Sequence, residues 1–406
     1  MPEVRNVPQI RFKGFTEPWE QRKVFDLFEI VDDRGYPELP ILSATQDQGM
    51  VSRDGSGRYV GHDKANEQGY KKVSPGDFVI HLRSFQGGFA HSPITGITSP
   101  AYTIFAAQEP NQHSDRFWKH WFMSKRFIDS LTTVTYGIRD GRSISVEEFF
   151  DTILLFPTKA EQDAIASTLD QLDRLITLHQ RKLDKLTSVK KSLLEKMFPK
   201  PGSDVPEIRF AEFTDPWEQR KLGEVGKARS GIGFPDAEQG GTSGTPFFKV
   251  SDMNNVGNEN ELNVANNYVT DVQIAARRWS PIEEVPAIFF AKVGAAVMLN
   301  RKRLCRFPFL LDNNTMAYSL GKDQWDADFA KAFFETVDLT SLVQVGALPS
   351  YNAGDVEAME VMLPEVSEQR QIGTYFCNLD HLITLHQRKL DMLGNIKKSL
   401  LDKMFV

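Results

Sequence analysis

Cysteine is nearly absent from this chain, because Cys305 and Cys377 are the only two among 406 residues. Two cysteines in unlike contexts support neither a disulfide framework nor a thiolate metal site. No stretch approaches the roughly 18 consecutive apolar residues that a membrane span needs, and the N-terminus lacks the apolar region of a secretory signal. The sequence therefore predicts a cytoplasmic protein, and its length predicts two ordinary globular domains.

Catalytic and cofactor motifs are missing as well. The sequence has no GxxxxGKS/T phosphate loop, no GxGxxG after a strand, no HExxH, no GxSxG and no paired CxxC. It also has no NPPY-like segment of the kind that holds a flipped adenine for methylation. The eight histidines are scattered. These absences predict a chain without catalytic residues, bound cofactor or metal, so that any associated catalysis belongs to another chain.

Positive charge is not in excess, since 48 Lys and Arg against 54 Asp and Glu give a net charge of -6. Such a chain does not coat nucleic acid through a bulk positive field, although local basic patches remain open. If DNA is the target, much of the charge that neutralises its phosphates must come from partner subunits.

What the sequence does contain is a repeat. PQIRFKGFTEPWEQRK at residues 8–23 returns as PEIRFAEFTDPWEQRK at 206–221, and LDRLITLHQRKLD at 172–184 returns as LDHLITLHQRKLD at 379–391. The long stretches between these framing segments share only sparse landmarks. This layout indicates a molecule that examines two unlike targets through one repeated frame. A duplication whose middle parts merely drifted is the alternative.

The second framing segment lies in a predicted long helix in each half. Residues 159–198 run without Gly or Pro up to the breaker PKPG, and apolar residues alternate four and three apart, as in a coiled coil. The predicted seam between the helices consists of Ile165, Leu169, Leu172, Ile176, His179, Leu183 and Leu186 in the first, and Ile372, Phe376, Leu379, Ile383, His386, Leu390 and Leu393 in the second.

The direction of pairing follows from two lysines that continue this seam. A parallel pair would place Lys190 against Lys397, which is unfavourable in a mostly apolar seam. An antiparallel pair puts these lysines at opposite ends, and the helix lengths would then fix the distance between the two variable stretches. His179 and His386, near the crossing, are interpreted as register-setting residues, with a metal or pH-switch pair as the alternative.

The variable stretches, residues 31–150 and 229–356, each read as a mixed α/β domain. Short runs rich in Val, Ile, Phe and Tyr lie between turn residues, and a helical segment follows at 114–130 and again at 327–343. The predicted fold class is α+β: two mixed α/β recognition domains in a pseudo-twofold tandem repeat, joined by two long antiparallel coiled-coil helices.

Loops in both variable stretches carry polar and basic side chains suited to reading a DNA groove. Arg and Lys reach guanine edges and phosphates, whereas Asn and Gln suit adenine. The alternative for each residue taken singly is that it is an ordinary solvated loop residue that does not contact DNA. The candidate DNA contacts are Arg83, Ser84, Gln86, Arg139 and Arg142 in the first stretch, and Lys249, Ser251, Asn254, Lys292, Asn300, Arg301 and Arg303 in the second.

The PWEQRK segment ahead of each variable stretch, an EQ pair near the start of each long helix, and the LITLHQRKLD and KKSLL endings resemble the specificity subunit of type I restriction-modification systems. The resemblance covers the whole chain. It implies target recognition domains at 1–158 and 206–363, conserved spacer helices at 159–198 and 364–406, and a linker at 199–205.

The resemblance also implies a function. The chain would be the non-catalytic DNA-reading subunit of a type I site-specific deoxyribonuclease and adenine-specific methyltransferase complex, with each recognition domain reading one half of a bipartite site. Two methyltransferase subunits would bring S-adenosylmethionine, and restriction subunits would use ATP and Mg²⁺. Two alternatives stay open: a coiled-coil scaffold, and a stand-alone DNA-modifying enzyme with two recognition domains.

Overall fold

The fold consists of two compact units. The computed structural model describes residues 7–45, 48–53, 64–80, 88–131, 135–136, 143–343 and 349–405. Unit 1 contains residues 1–180 and 388–406, and unit 2 contains residues 181–387. Each unit therefore includes one half of each long helix. We call the predicted recognition domains at 1–158 and 206–363 the readers. Their limits, which end each reader where its long helix begins, stay a prediction.

Unit 1 builds its reader from short strands and short helices that precede the first long helix. Its described elements are β1 (Glu20–Lys23), α1 (Val24–Leu27), β2 (Phe28–Val31), β3 (Leu42–Thr45), β4 (Gly49–Ser52), β5 (Lys71–Val73), β6 (Phe78–Ile80), β7 (Phe89–His91), β8 (Gly96–Thr98), β9 (Thr103–Ala107), α2 (Asp115–Phe122), α3 (Lys125–Ser130), β10 (Thr135–Tyr136), β11 (Ser143–Ile144), α4 (Val146–Asp151), β12 (Ile153–Phe156) and the long helix α5 (Lys159–Lys196), which continues into unit 2.

Unit 2 shares the framing strands, the central sheet and the long helix of this arrangement, and differs in the elements between them. Its elements are β13 (Glu218–Lys221), α6 (Leu222–Val225), β14 (Gly226–Ser230), β15 (Thr245–Phe248), β16 (Tyr268–Val269), α7 (Asp271–Arg277), β17 (Ala287–Ala291), β18 (Lys302–Cys305), β19 (Leu310–Leu311), β20 (Thr315–Leu320), α8 (Ala327–Thr336), α9 (Ala353–Glu357), β21 (Glu360–Leu363) and the long helix α10 (Val366–Met404), which ends in unit 1. Short 3-10 turns at Val250–Asn254, Ala295–Leu299 and Leu339–Leu342 lie in its loops.

A four-stranded sheet forms the centre of each reader. The strand order is β2-β9-β6-β7 in unit 1 and β14-β20-β17-β18 in unit 2, with antiparallel pairing throughout. The central strands are apolar on both faces, and every residue of β17 is buried. Because both faces of the sheet are covered, these strands read as short continuous apolar runs in the sequence. The same scaffold is thus built twice.

The helical segment predicted at residues 114–130 consists of two helices. The structure has α2 and α3 with a break at Met123 and Ser124. Ser124 is extended, and its hydroxyl accepts a hydrogen bond from the backbone N–H of Phe127, which starts a new helix. In the segment predicted at 327–343, the helix likewise ends early, at Thr336. A 3-10 turn begins after Asp338, whose side chain accepts a hydrogen bond from the backbone N–H of Thr340.

The two long helices run antiparallel, as predicted. In unit 1, Ile165 and Leu169 near the start of α5 share a core with Met404 at the end of α10. In unit 2, Met197 at the end of α5 shares a core with Ile372 near the start of α10. None of the helices in the described ranges has an apolar stretch long enough to cross a membrane.

The end of each long helix is part of a reader core. The backbone N–H of Ile10 donates to the carbonyl of Lys403, which holds the first framing segment against the end of α10. Beyond that end, Phe405 packs against Trp19 and Phe117, with ring centroids 6.5 and 5.6 Å away. In unit 2 the same arrangement joins Phe198 to Trp217 and Phe329 at 6.0 and 5.7 Å.

This repeat gives a matched pair of stability variants. We expect Phe405→Ala to destabilise unit 1 by about 3 kcal/mol, since it removes a buried ring and leaves a cavity, and Phe198→Ala to do the same to unit 2. Hydrogen exchange followed by mass spectrometry should show faster exchange in residues 7–131 for the first variant and in residues 206–343 for the second. Equal loss of protection in both units for either variant would contradict the separation of the two cores.

Candidate nucleic-acid interface

An arginine anchors each reader to the beginning of a long helix. In unit 1, Arg11 donates to both carboxylate oxygens of Glu161, at 2.7 Å each. In unit 2, Arg209 makes the same two bonds to Glu368, at 2.8 Å each. Both glutamates are 1% exposed, and a bidentate charge-assisted pair of this kind fixes orientation as well as distance. The recurrence of IRF and of the EQ pair therefore has a structural cause.

The glutamine of each EQ pair holds the main reader helix. The Oε1 atom of Gln162 accepts from the backbone N–H of Ser114, which precedes α2, at 2.9 Å. Gln369 accepts from the N–H of Asp326, which precedes α8, also at 2.9 Å. The framing motifs thus hold the main helix of each reader in place.

The predicted helix seam faces inward along both long helices. None of its fourteen residues is exposed. Buried are Ile165, Leu169, Ile372, Phe376, Leu379 and Leu393, and half-buried are Leu172, Ile176, His179, Leu183, Leu186, Ile383, His386 and Leu390.

Each seam lysine forms an ion pair with an aspartate of the opposite helix. Lys190 of α5 lies 2.7 Å from Asp380 of α10 in unit 2. Lys397 of α10 lies 2.5 Å from Asp173 of α5 in unit 1. Lys331 of α8 reaches the same Asp380 at 3.1 Å, so reader and helix pair share one charge cluster. The sequence analysis missed the aspartates, although each directly follows the seam leucine that begins the repeated segments at 172–184 and 379–391.

The predicted contact residues of unit 1, namely Arg83, Ser84, Gln86, Arg139 and Arg142, lie outside the described residues. All seven candidates of unit 2 are described, and they are not alike. Lys249 is half-buried and donates to Gln239 at 3.1 Å, whereas Ser251 is exposed. Lys292 is half-buried at the end of β17.

Two of these candidate loops meet at one contact. The Nη1 atom of Arg301, which directly precedes β18, donates to Oδ1 of Asn254 at 2.8 Å, and this bond is solvent-exposed. The structure thus brings together Asn254, at the end of the 3-10 turn Val250–Asn254, and Arg301. Asn254 is exposed and Arg301 is half-buried, and an exposed contact of this kind suits binding to a phosphate or a base edge.

The other two basic-loop candidates bond to their own chain. Asn300 donates to the carbonyl of Val337 at 3.2 Å and accepts from the N–H of Leu339 at 3.1 Å. Arg303 donates to the carbonyl of Asn258 at 2.6 Å, and burial lowers the pKa of its guanidinium. Both side chains therefore shape the loop, and their role as base contacts stays a prediction.

Sequence reasoning passed over Lys302, which lies between these residues. Its ammonium donates to Asn300 at 2.7 Å and to the carbonyl of Val337. Burial lowers the pKa of Lys302 to about 8, although the charges of Asp338 and Glu335 oppose this shift. With Arg301, Arg303, Lys190 and other residues it lines a cavity of about 280 Å³. The residues after the 3-10 turn Ala295–Leu299 thus line a cavity with more cations than carboxylates, the latter being Glu259 and Glu335.

One cluster of unit 1 has the composition of a metal site. His120, Asp170 and Asp173 place their ligand atoms within 4.8 Å of one another. Cations already contact both carboxylates: Lys119 lies 3.4 Å from Asp170, and Lys397 pairs with Asp173. Burial would raise the pKa of Asp170, but its hydrogen bond from His120 and the charge of Lys119 lower it to about 2. The cluster is therefore an ion-pair network between reader and helices, and the prediction that the chain binds no metal stays a prediction.

Two histidines make the stability of unit 1 sensitive to pH. Burial lowers the pKa of both His113 and His120 below the ordinary value of 6.5. The unfolded chain therefore takes up protons first, so that stability is present above pH 6.5 and is lost as the pH falls below it. We expect thermal unfolding of unit 1 to shift to lower temperature between pH 7 and pH 5.

The matched variant is His113→Gln combined with His120→Gln. The unfolding temperature of this variant should fall less between pH 7 and pH 5, even if its stability at pH 7 is lower, because two titrating groups have been removed. An unchanged slope in this variant would show that other groups carry the acid sensitivity.

The comparisons with known proteins bear on the same regions. Residues 214–394 match the family model described as the type I restriction modification DNA specificity domain. The type I restriction enzyme MjaVIII specificity subunit of Methanocaldococcus jannaschii is 22% identical over 286 residues, which are 63% of this chain and 62% of that protein. Residues 214–394 are thus similar to a type I DNA specificity domain. The resemblance stated from the framing motifs is confirmed, and the match spans about three fifths of the length of this curated relative.

Solved structures of specificity subunits share the fold. The type I restriction-modification S subunit from M. genitalium superimposes with a TM-score of 0.63 at 14% identity, over 98% of this chain and 99% of that one. A chain from a structure of the type I R-M system, concerned with its assembly and conformational transition, gives a TM-score of 0.52 at 13% identity over 97% of this chain and 99% of the other. The predicted α+β specificity fold is confirmed over nearly the whole chain.

Proposed function

We propose that this chain is the DNA-reading specificity subunit of a type I restriction-modification complex, with each reader recognising one half of a bipartite site. The observation that carries the proposal is the repetition of frame contacts around unlike loops. Arg11 and Glu161 in unit 1 correspond to Arg209 and Glu368 in unit 2, whereas the loops between their strands differ in sequence and length. A frame held constant around variable loops suits recognition of two different sequences.

In this proposal, the chain binds double-stranded DNA and performs no chemistry itself. Two methyltransferase subunits would supply S-adenosylmethionine and modify adenine, and restriction subunits would supply ATP- and Mg²⁺-dependent cleavage. The net charge of -6 supports a shared DNA interface, since partner subunits would then provide part of the phosphate-neutralising charge. The cytoplasmic location predicted from the sequence belongs to the same proposal.

The outer faces of the long helices support docking of partners. Leu175 and Leu178 on α5 are 43% and 62% exposed, and their repeat equivalents Leu382 and Leu385 on α10 are 40% and 39% exposed. These leucines lie three residues apart, outside the inward seam, so each helix carries a second apolar stripe. Exposed apolar stripes of this kind mark interaction surfaces. We therefore assign this stripe to the methyltransferase subunits.

A matched set of variants tests this assignment. Leu178→Asp and Leu385→Asp should each reduce co-purification of the methyltransferase subunit with this chain at least tenfold, because a charge would be buried in an apolar contact. Thr187→Asp, also at an exposed position of α5, serves as the control and should leave co-purification unchanged. Full assembly of the two leucine variants would move the docking site elsewhere.

The proposed function itself is tested by mapping methylated adenines in DNA from cells with and without this chain. A bipartite methylated sequence should be present only with the chain, and purified chain alone should transfer no methyl group. Methyl transfer by the isolated chain would support the stand-alone enzyme. If cells without the chain kept every methylated sequence, the scaffold would be supported. The comparisons favour neither alternative.

A further inference from the structure

Unit 2 exposes two adjacent large apolar side chains at the tip of a loop. Met298 and Leu299, at the end of the 3-10 turn Ala295–Leu299, are each 59% exposed. The turn lies between β17 and β18, in the loop to which the sequence assigned DNA contacts. Exposure of two such neighbours costs free energy in water and provides nothing to the core of the unit.

The loop is held firmly from below, so its tip is not a loose segment. Val297, the preceding residue, is 2% exposed and belongs to the core of unit 2. The N–H of Gly294, at a φ of 83°, donates to the carbonyl of Pro349 at 2.9 Å. Asn300 ends the turn with a φ of 49°, and its side chain bonds to the backbone at Val337 and Leu339. The two apolar side chains are therefore presented in a fixed position.

Three successive cations follow the apolar pair. Arg301, Lys302 and Arg303 hydrogen-bond to amide and carbonyl oxygens only, and none of the ion pairs formed within the described ranges includes them. None of the three therefore has a carboxylate at ion-pair distance within these ranges, although the charges of Asp338 and Glu335 act on Lys302 from further away. An apolar tip on a cationic base is complementary to duplex DNA, whose bases are apolar on their faces and whose backbone is anionic.

We infer that Met298 and Leu299 form an apolar wedge that enters the base stack of the half-site read by unit 2, while Arg301 contacts the adjacent phosphate. This inference rests on the proposed function and adds a mode of reading to it. Insertion partly unstacks one base step, so the half-site would be selected by how readily that step deforms as well as by base-edge contacts.

The test uses the complex of the full chain with its methyltransferase subunits. Duplexes carry the methylated sequence with 2-aminopurine at successive positions of the unit 2 half-site, since the fluorescence of this base rises when it is unstacked. Wild-type complex should raise the signal severalfold at one step. Met298→Ala combined with Leu299→Ala should abolish that rise and weaken binding about tenfold or more. Exchanging the two residues, Met298→Leu with Leu299→Met, should retain most of both effects.

Val205→Ala combined with Val272→Ala is the control, because it shortens two other exposed apolar side chains of unit 2. It should leave fluorescence and affinity as in the wild type. Site-selective binding that persists without any unstacking in the wild type would overturn the wedge alone. Loss of methyltransferase subunits from the Met298 and Leu299 variant would assign the tip to a protein contact instead. Failure of the wild-type complex to select any sequence would overturn the proposed function itself.

Discussion

Replacing residues 31–150 with the corresponding segment of another type I specificity subunit should change one half of the methylated DNA sequence completely and leave the other half as it was. The exchanged segment begins at the end of β2 and stops within α4. Arg11, Glu161 and Gln162, which anchor the reader to α5, therefore stay in place. Because base contacts in this proposal come only from the exchanged loops, the new half-site should be that of the donor.

The reciprocal exchange of residues 229–356 is the control and should change the other half-site. Methylation mapping of cellular DNA measures both outcomes in the same experiment. A change in both half-sites after one exchange would mean that the readers are coupled. Loss of all methylation requires a check that the chimera folds and still co-purifies with the methyltransferase subunit.

Lengthening both long helices should lengthen the non-specific spacer of the DNA site. Four residues inserted after Gln180 in α5 and four after Gln387 in α10 fall at the boundary between the two compact units. The insertions add about 6 Å and one turn plus about 40° to each helix. Both helices have to be extended together, since each contributes residues to the core of both units. We expect both half-sites to be retained and one or two base pairs to be added between them.

Insertion into α5 alone is the informative comparison. It would pull Lys190 out of register with Asp380, or Lys397 out of register with Asp173, and so should reduce stability and methylation. An unchanged spacer in a folded and active double insertion would show that partner subunits set the distance, and the helices would no longer be assigned as the spacing device.

The apolar periodicity of the sequence was sufficient to predict the long helices and their pairing. Helices predicted at 159–198 and 364–406 extend over Lys159–Lys196 and Val366–Met404. The antiparallel direction followed from the repulsion expected between Lys190 and Lys397. The aspartates that neutralise these lysines were missed, because an ion pair between distant segments has no periodic signal.

The contacts of the loop side chains were less predictable, because they too join segments that are distant in the chain. Residue type alone placed Asn254, Asn300, Arg301 and Arg303 together as DNA contacts. The structure divides them: Arg301 and Asn254 meet at the surface, whereas Asn300 and Arg303 bond to backbone carbonyls. Whether a polar side chain is directed to solvent or to its own chain depends on which carbonyls the fold leaves without partners, and no local pattern encodes that.

The sequence by itself determined the repeated frame, the α+β class and the helix pair, because repeats and apolar periodicity are local properties that the chain displays directly. Tertiary structure alone decided why the frame recurs: Arg11 is 150 residues from Glu161 in the chain, and Arg209 is 159 residues from Glu368. It also decided that Met298 and Leu299 are exposed, each to 59%. Contacts between residues so far apart arise only when the whole reader closes on its helix, and their geometry follows from packing.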